Sequence, residues 1–331
     1  MAKAAVTRSI RDDHQKNFLK IFNGLTGKHS RWEIWEDFVT LTAIEISNST
    51  DKVNATERTK MYQTIISKYS AKERDGMAEM LAEVVMGMEQ NPDQDFLGSL
   101  YMMCELGNDH AGQFFTLRAW GADEAPFLSR PISVHKWDAE TQTVEFLYAV
   151  VGEGTRKLTA LKKGDSFQLT GPMGNGFDVA DILSKYQKIA VVGGGIGTAP
   201  MYQLTRELAA GGVKPDVFFG FRDKPYCMEE YRSIAGIVKV STDTGAVGFH
   251  GFVTQLYDPA DYDVVLVCGP TVMMRNAARL CAEKGTPCFV SLEKKMACGI
   301  GACLGCTCET RSGEGKSVCK NGPVFDAAEV F

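Results

Sequence analysis

Ile189-Ala-Val-Val-Gly-Gly-Gly-Ile-Gly-Thr-Ala-Pro200 decides how this 331-residue chain is read. Its first four residues are an unbroken apolar run, the mark of a strand buried on both faces. Met201–Ala210 then reads as a helix, stopped by Gly211-Gly212. Between them Gly193, Gly194, Gly195, Gly197 and Thr198 form a strand–turn–helix junction, where backbone N–H groups at a helix start can meet a pyrophosphate. The spacing is G-x-G-x-G, not the dinucleotide fingerprint G-x-G-x-x-G, and no acidic residue is placed for a ribose. A purely structural tight turn is the competing reading. Further strands are expected at Val217–Phe221, Val238–Ser241, Val264–Cys268 and Cys288–Leu292, with a helix at Thr271–Lys284. Strands alternating with helices imply βαβ units and a parallel sheet. Cys268-Gly269-Pro270 closes one of those strands, and ligands of open α/β sheets bind at the carboxyl ends of strands.

Beyond the sheet, Cys298, Cys303 and Cys306 sit in a glycine-rich run, and Cys319 follows after a polar turn. C-x4-C-x2-C with a later Cys is the plant-type 2Fe-2S spacing. Thiolates are soft ligands suited to such clusters, and the glycines let backbone N–H groups approach the sulfurs. A structural zinc site fits less well, because C-x4-C is not a zinc-ribbon spacing. Disulfides fit poorly as well, since no secretory signal opens the chain. The four cysteines are therefore expected to hold a carrier of single electrons. Cys308 is read as a bystander or a substitute ligand. Cys104, Cys227, Cys281 and Cys288 are read as small core residues.

Composition is that of a globular protein, 44% hydrophobic and 23% charged. A net charge of −5 gives no electrostatic reason for nucleic-acid binding. No apolar run approaches the length of a membrane span. The expected location is cytoplasmic, which makes the sequons at Asn48 and Asn54 chance matches.

Toward the N-terminus the pattern changes. Met77, Met80, Leu81, Val84, Val85 and Met88 follow helical spacing behind a capping box, Ser70-Ala-Lys-Glu73. Met61, Tyr62, Ile65, Ile66 and Tyr69 repeat that spacing, as do Trp35, Phe38 and Val39. Asn91-Pro92-Asp93 marks a break, and Phe96–Leu106 is a further short helix candidate. From residue 112 the periodicity becomes that of strands: Phe114–Ala119, Ile132–Lys136, Thr143–Val151 and Ser166–Leu169. Arg130-Pro131-Ile132-Ser133 precedes one of them. Its Arg can pair with a diphosphate, and its Ser hydroxyl can bond a flavin ring nitrogen. Val151-Gly152-Glu153-Gly154-Thr155 offers backbone donors to the same diphosphate. Gly171-Pro-Met-Gly-Asn-Gly-Phe177 leads on toward the sheet.

The order of these motifs, from Arg130-Pro-Ile-Ser133 to Cys298-Gly-Ile-Gly-Ala-Cys-Leu-Gly-Cys306 and Val318-Cys-Lys-Asn-Gly-Pro-Val-Phe325, resembles the ferredoxin-reductase superfamily. More closely, residues 112–331 are similar to the electron-transfer subunits of B-type dihydroorotate dehydrogenases. Residues 1–111 read as all-α from their helical spacing, a departure from that family, and the resemblance implies an antiparallel FAD-binding β-barrel over 112–180 that here lacks its first strands. A parallel NAD-binding α/β domain over 181–294 and a 2Fe-2S domain over 295–331 complete it. It also implies NAD(H) as donor or acceptor, Ser133 beside the flavin, Cys268 beside the nicotinamide, and electron passage through Cys298, Cys303, Cys306 and Cys319. The implied partner is an FMN-containing catalytic subunit that oxidises dihydroorotate to orotate in pyrimidine biosynthesis, two copies of each subunit assembling. Related subunits serve ferredoxin:NADP and sulfide oxidoreductases, the alternative within this class. The helical start resembles the N-terminal region of phage-type DNA adenine methyltransferases, up to the shared Gly112-Gln-Phe-Phe-Thr116, so the chain reads as a chimera. It carries no N/D-P-P-Y/F tetrapeptide. A nonenzymatic binding module with an inactive reductase tail is the third reading.

Overall fold

The computed structural model describes residues 2–7, 13–25, 29, 34, 37–41, 55–90, 111–121, 123–138 and 143–331. They fall into two compact units, Arg8–Asn108 and Met1–Thr7 with Asp109–Phe331.

The first unit is helical, with α1 (Asp13–Leu25), α2 (Ala55–Ile66) and α3 (Ala71–Gln90). The capping box forms as expected: Ser70 N donates to Glu73 Oε2 at 2.8 Å, and Glu73 N to Ser70 Oγ at 3.4 Å. Met77, Met80 and Val84 enter a core with Phe18, Phe22, Phe38 and Ile65, whereas Met61, Val39 and Val85 stay exposed. Asp37 is buried and paired, accepting from Lys68 Nζ at 2.9 Å and Tyr69 OH at 2.9 Å. The expected helix at Phe96–Leu106, the break at Asn91–Asp93, Trp35 and Cys104 lie outside the described residues.

The second unit corrects one expectation. Residues 2–7 are not helical. They form β1 (Ala2–Thr7), paired antiparallel with Thr143–Tyr148 from Ala2↔Tyr148 to Thr7↔Thr143. The helical unit is thus an insertion after a first barrel strand, and the barrel lacks less than its motifs suggested. Physically, an unpaired strand edge exposes a row of N–H and C=O groups, and β1 covers it. The other strands are β2 (Phe114–Arg118), β3 (Arg130–Asp138), β4 (Thr143–Tyr148) and β5 (Gln168–Met173), ordered β1-β4-β3-β2-β5. Among the described residues β1 and β5 do not pair, so the sheet stays open there. Between β3 and β4 the register slips, with Val134 opposite Phe146 but Lys136 opposite Glu145. His135 is the extra residue of that bulge.

After α4 (Glu153–Thr159) and α5 (Val179–Lys185), the chain builds β6 (Ile189–Gly194), α6 (Thr198–Ala210), β7 (Asp216–Phe221), α7 (Met228–Arg232), β8 (Val238–Thr242) and β9 (Phe249–His250). Then come β10 (Val264–Cys268), α8 (Thr271–Lys284) and β11 (Cys288–Ser291). These strands stack in the order β11-β10-β6-β7-β8-β9, all parallel. Every residue of β6 and β10 is buried, as continuous apolar runs require. The cysteine segment adds the hairpin β12 (Thr307–Glu309) and β13 (Gly315–Ser317), then α9 (Val318–Asn321), β14 (Val324–Asp326) and α10 (Ala327–Val330). It does not close on itself, because β14 pairs antiparallel with β11 as the seventh strand of the larger sheet. Among the described residues no helix is long and apolar enough to cross a membrane.

Candidate functional site

The cysteine loop leaves β11 and folds back on itself. Gly299 and Gly301 take φ of +75° and +80°, and Leu304, which is not a glycine, takes +56°. That left-handed leucine costs about 1–2 kcal/mol. It is held by the turn that follows, where Thr307 N and Oγ1 both donate to the Leu304 carbonyl. The result is that every one of the four sulfurs accepts a backbone N–H. Cys298 Sγ accepts from Cys303 N at 3.4 Å, Cys303 Sγ from Gly305 N at 3.4 Å, Cys306 Sγ from Cys319 N at 3.4 Å, and Cys319 Sγ from Gly301 N at 3.1 Å. N–H donation to thiolate sulfur stabilises negative charge, which is the donor set an Fe-S cluster takes. Cys308 stands apart, its Sγ donating to the Lys316 carbonyl.

Charge is unevenly supported across the four. The N–H groups of Cys303 and Ile300 lower the Cys298 thiol to about 6. Burial raises Cys319 to about 11. In cluster-free protein at pH 7, Cys298 is therefore a thiolate and Cys319 a thiol. Iodoacetamide should label Cys298 well before Cys319, with a labelling midpoint near pH 6. Peptide mapping after timed alkylation checks this, and equal rates at the two sites would refute it.

A cavity of about 290 Å³ lies where the barrel, the glycine turn and the cysteine segment meet. Arg130, Pro131, Ile132, Ser133, Val151 and Thr155 line it from the barrel, Ile196 and Pro200 from the turn, and Glu293 and Met296 from the approach to Cys298. Arg130 Nε is buried and has no hydrogen-bond acceptor, while its Nη2 donates to the Leu128 carbonyl at 2.5 Å. A buried guanidinium N–H short of an acceptor fits an anionic group such as a diphosphate. Gly154 allows the approach, since a Cβ there would come within 3.0 Å of both the Arg130 side chain and the Trp120 ring. The N–H groups of Val151 and Gly152, expected to face a ligand, both donate instead to Thr155 Oγ1 at 3.1 Å. These two donors shape the loop.

A second cavity, about 420 Å³, opens at the carboxyl ends of the parallel strands and is lined by Gly194, Gly195, Arg222, Asp243, Phe252 and Pro270, among others. Strand order reverses between β10 and β6, the switch point where nucleotides bind. Gly195, with φ +54°, faces open space. Gly193, Gly194, Gly197 and Gly269 are packed instead. A Cβ on Gly193 would meet Phe219 at 2.7 Å, one on Gly194 Met273 at 2.5 Å, one on Gly269 the backbone of Gly194 at 2.9 Å, and one on Gly197 the Cys268 carbonyl at 2.5 Å. The tight-turn reading fits the four packed glycines, and Gly195 alone leaves space beside the cavity. Thr198 donates its hydroxyl to Gly195 O at 2.9 Å. Cys268 lines neither cavity. It is 1% exposed, its pKa raised by burial and by the Glu293 charge.

Sequence reasoning missed Glu293, Met296, Arg222, Asp243 and Phe252. The first two stand between strand β11 and the cluster cysteines, and the rest follow strands β7, β8 and β9. Position after a parallel strand was the available signal. Loss of hydration in the cavity wall raises the Glu293 pKa.

Residues 293–331 match the iron-sulfur cluster binding domain of dihydroorotate dehydrogenase B. The chain is 46% identical over 220 residues to the dihydroorotate dehydrogenase B (NAD(+)) electron transfer subunit of Clostridium acetobutylicum, covering 66% of this chain and 85% of that protein. It is 44% identical over 223 residues to the subunit of the same name from Clostridium perfringens, covering 67% and 87%. Among solved structures, it superposes with a TM-score of 0.59 and 30% identity on a chain of the NADH-dependent reduced ferredoxin-NADP oxidoreductase, studied for flavin-based electron bifurcation. That match covers 67% of this chain and 79% of the other.

Proposed function

The chain belongs to the family of dihydroorotate dehydrogenase B electron transfer subunits, and from that premise we propose that it passes electrons between NAD(H), FAD and a 2Fe-2S cluster during oxidation of dihydroorotate to orotate. One observation carries this reading. The first cavity is walled at once by Arg130 and Ser133 of the barrel, Ile196 and Pro200 of the glycine turn, and Met296, two residues from Cys298.

FAD, when bound, supplies the exchange between a two-electron donor and a one-electron carrier. The chain supplies placement. Arg130 would hold the diphosphate with its unsatisfied N–H, and Ser133 would present its hydroxyl to the flavin ring. The glycine turn and Pro270 would take the NAD(H) pyrophosphate at the start of α6, with Cys268 a positioning residue behind Gly269. Cys298, Cys303, Cys306 and Cys319 would ligate the iron.

A partner follows from the surface. Cys303 is exposed, and Ile300 and Leu304 beside it are each 66% exposed. Two large apolar side chains flanking an electron exit mark a docking face. We assign it to the FMN-containing catalytic subunit, two copies of each assembling. The ferredoxin-NADP alternative rests on a relative of lower identity, 30% against 46%.

An anaerobic visible spectrum of the full chain before and after NADH tests the reading. Flavin and Fe-S bands that bleach together are expected. Fe-S absorbance with no flavin band would overturn it, by showing that the open barrel holds no electron acceptor for NADH.

A further inference from the structure

His135 is the extra residue of the β3 bulge, and bulges re-aim side chains. Its ring is fully buried, and Nδ1 lies 2.7 Å from the carbonyl oxygen of Ala199 on α6. A carbonyl can only accept, so Nδ1 carries the proton and Nε2 of the neutral ring carries a lone pair. On that side stand two residues of the α/β domain. Cys227 adopts a left-handed conformation, φ 59° and ψ 16°, and caps α7, whose third residue is Glu230. One ligand atom from each of His135, Cys227 and Glu230 lies within 4.8 Å of the others, and Nε2 is 3.7 Å from Glu230 Oε2. Among the described residues this is the one such trio.

Cys227 was expected in the core, yet it is half-buried at its edge. Around the trio the packing is aromatic, with Tyr202 stacked on His135 at 5.0 Å and edge-on to Tyr231 at 5.3 Å. Glu230 keeps 37% of its side chain exposed and provides an entry path.

We propose that His135, Cys227 and Glu230 form a binding site for a divalent cation of zinc type, separate from the cluster cysteines. Imidazole, thiolate and carboxylate are the three donor types zinc takes, and a water completes the tetrahedron. Zinc bonds of about 2.0–2.2 Å to nitrogen and oxygen at tetrahedral angles put those donors roughly 3.3–3.5 Å apart, and Nε2 and Oε2, at 3.7 Å, need close by only a few tenths of an ångström. The Nδ1–H bond to a backbone carbonyl is the outer contact that orients metal-bound histidines. His135 comes from the barrel, and Cys227 and Glu230 from the nucleotide domain. The bound ion therefore ties the two domains that must present flavin and nicotinamide to each other. No electron passes through it.

Zinc ions titrated calorimetrically into the cluster-loaded, flavin-loaded full chain test this, with iron and zinc counted by elemental analysis afterwards. One zinc per chain with iron unchanged is expected. Cys227→Ser and Glu230→Gln should each weaken binding by at least about tenfold, and Cys308→Ser should leave it intact. Glu230→Gln sits at the surface and keeps the fold testable if Cys227→Ser unfolds. Zinc raising the thermal midpoint of the parent but not of Glu230→Gln is the second expected result. No zinc uptake, uptake only as iron is lost, or equal affinity in both variants would overturn the site.

Discussion

Cys303→Ser is expected to remove the iron-sulfur absorbance and to cut NADH-driven reduction of a one-electron acceptor by about two orders of magnitude or more. NADH should still bleach the flavin band. The argument rests on where the residue stands. Cys303 is exposed, so the change removes a soft ligand without opening a cavity, and the chain should fold with its other domains intact. Two N–H contacts pass through this sulfur region, Cys303 N to Cys298 Sγ and Gly305 N to Cys303 Sγ, and the first survives because it is backbone. Cys308→Ser is the matched comparison. Its sulfur is turned to the Lys316 carbonyl, and a serine hydroxyl can donate the same bond. Iron content and a stopped-flow trace with a one-electron acceptor read both variants. A full cluster in Cys303→Ser, or its loss in Cys308→Ser, would show that the ligand set is wrong.

Gly197→Ala is expected to destabilise the chain by about 2–3 kcal/mol and to abolish NADH reduction of the flavin. Two effects compete. Gly197, the residue that opens α6, has φ −60° and ψ −11°, which alanine adopts without strain, so alanine gains about 0.4–1 kcal/mol by restricting the unfolded chain. Against that, the new Cβ would lie 2.5 Å from both the Cys268 carbonyl oxygen and Gly269 Cα. These are backbone atoms at the end of a central strand, and they cannot rotate away as a side chain tip would. Steric cost wins, and the movement it forces shifts Gly269 and Pro270 at the edge of the nucleotide cavity. Gly195→Ala separates the two roles of the turn. There the Cβ meets open space and only φ +54° is unfavourable, a cost of about 1–2 kcal/mol. Denaturant midpoints and NADH titrations distinguish them. Equal stability of Gly197→Ala and the parent would mean that the turn is looser than its packing indicates.

Much of the site was legible because its chemistry is local. Four thiolates at fixed spacing, and glycines between a buried strand and a helix, can be read without knowing what they touch. Residues whose role comes from distant contacts were not. Ala2–Thr7 is alanine-rich and equally suited to a helix, and only pairing with β4, more than a hundred residues away, makes it a strand. Glu293 and Met296 carry no motif, and they reach the cavity because β11 ends beside it. His135 looked like one more residue of an alternating strand. The bulge that turns it inward depends on the register against β4, which no period of the sequence records. The roles of individual glycines were hidden as well, since the letter is the same for one facing a void and one pressed on a carbonyl.

The pairing of β1 with β4 also fixes an order of events at birth. β1 leaves the ribosome well before its partner Thr143–Tyr148, which is made 136 residues after Thr7, counting to Thr143. At about 5–20 residues per second that is a wait of roughly 7 to 27 s. A flexible spacer of that length would charge about 4 kcal/mol in closure entropy. Here the intervening Arg8–Asn108 has its own helical core, so it can fold during the wait and shorten the floppy chain to be closed. Variants that unfold this unit should therefore slow the maturation of a barrel they do not belong to.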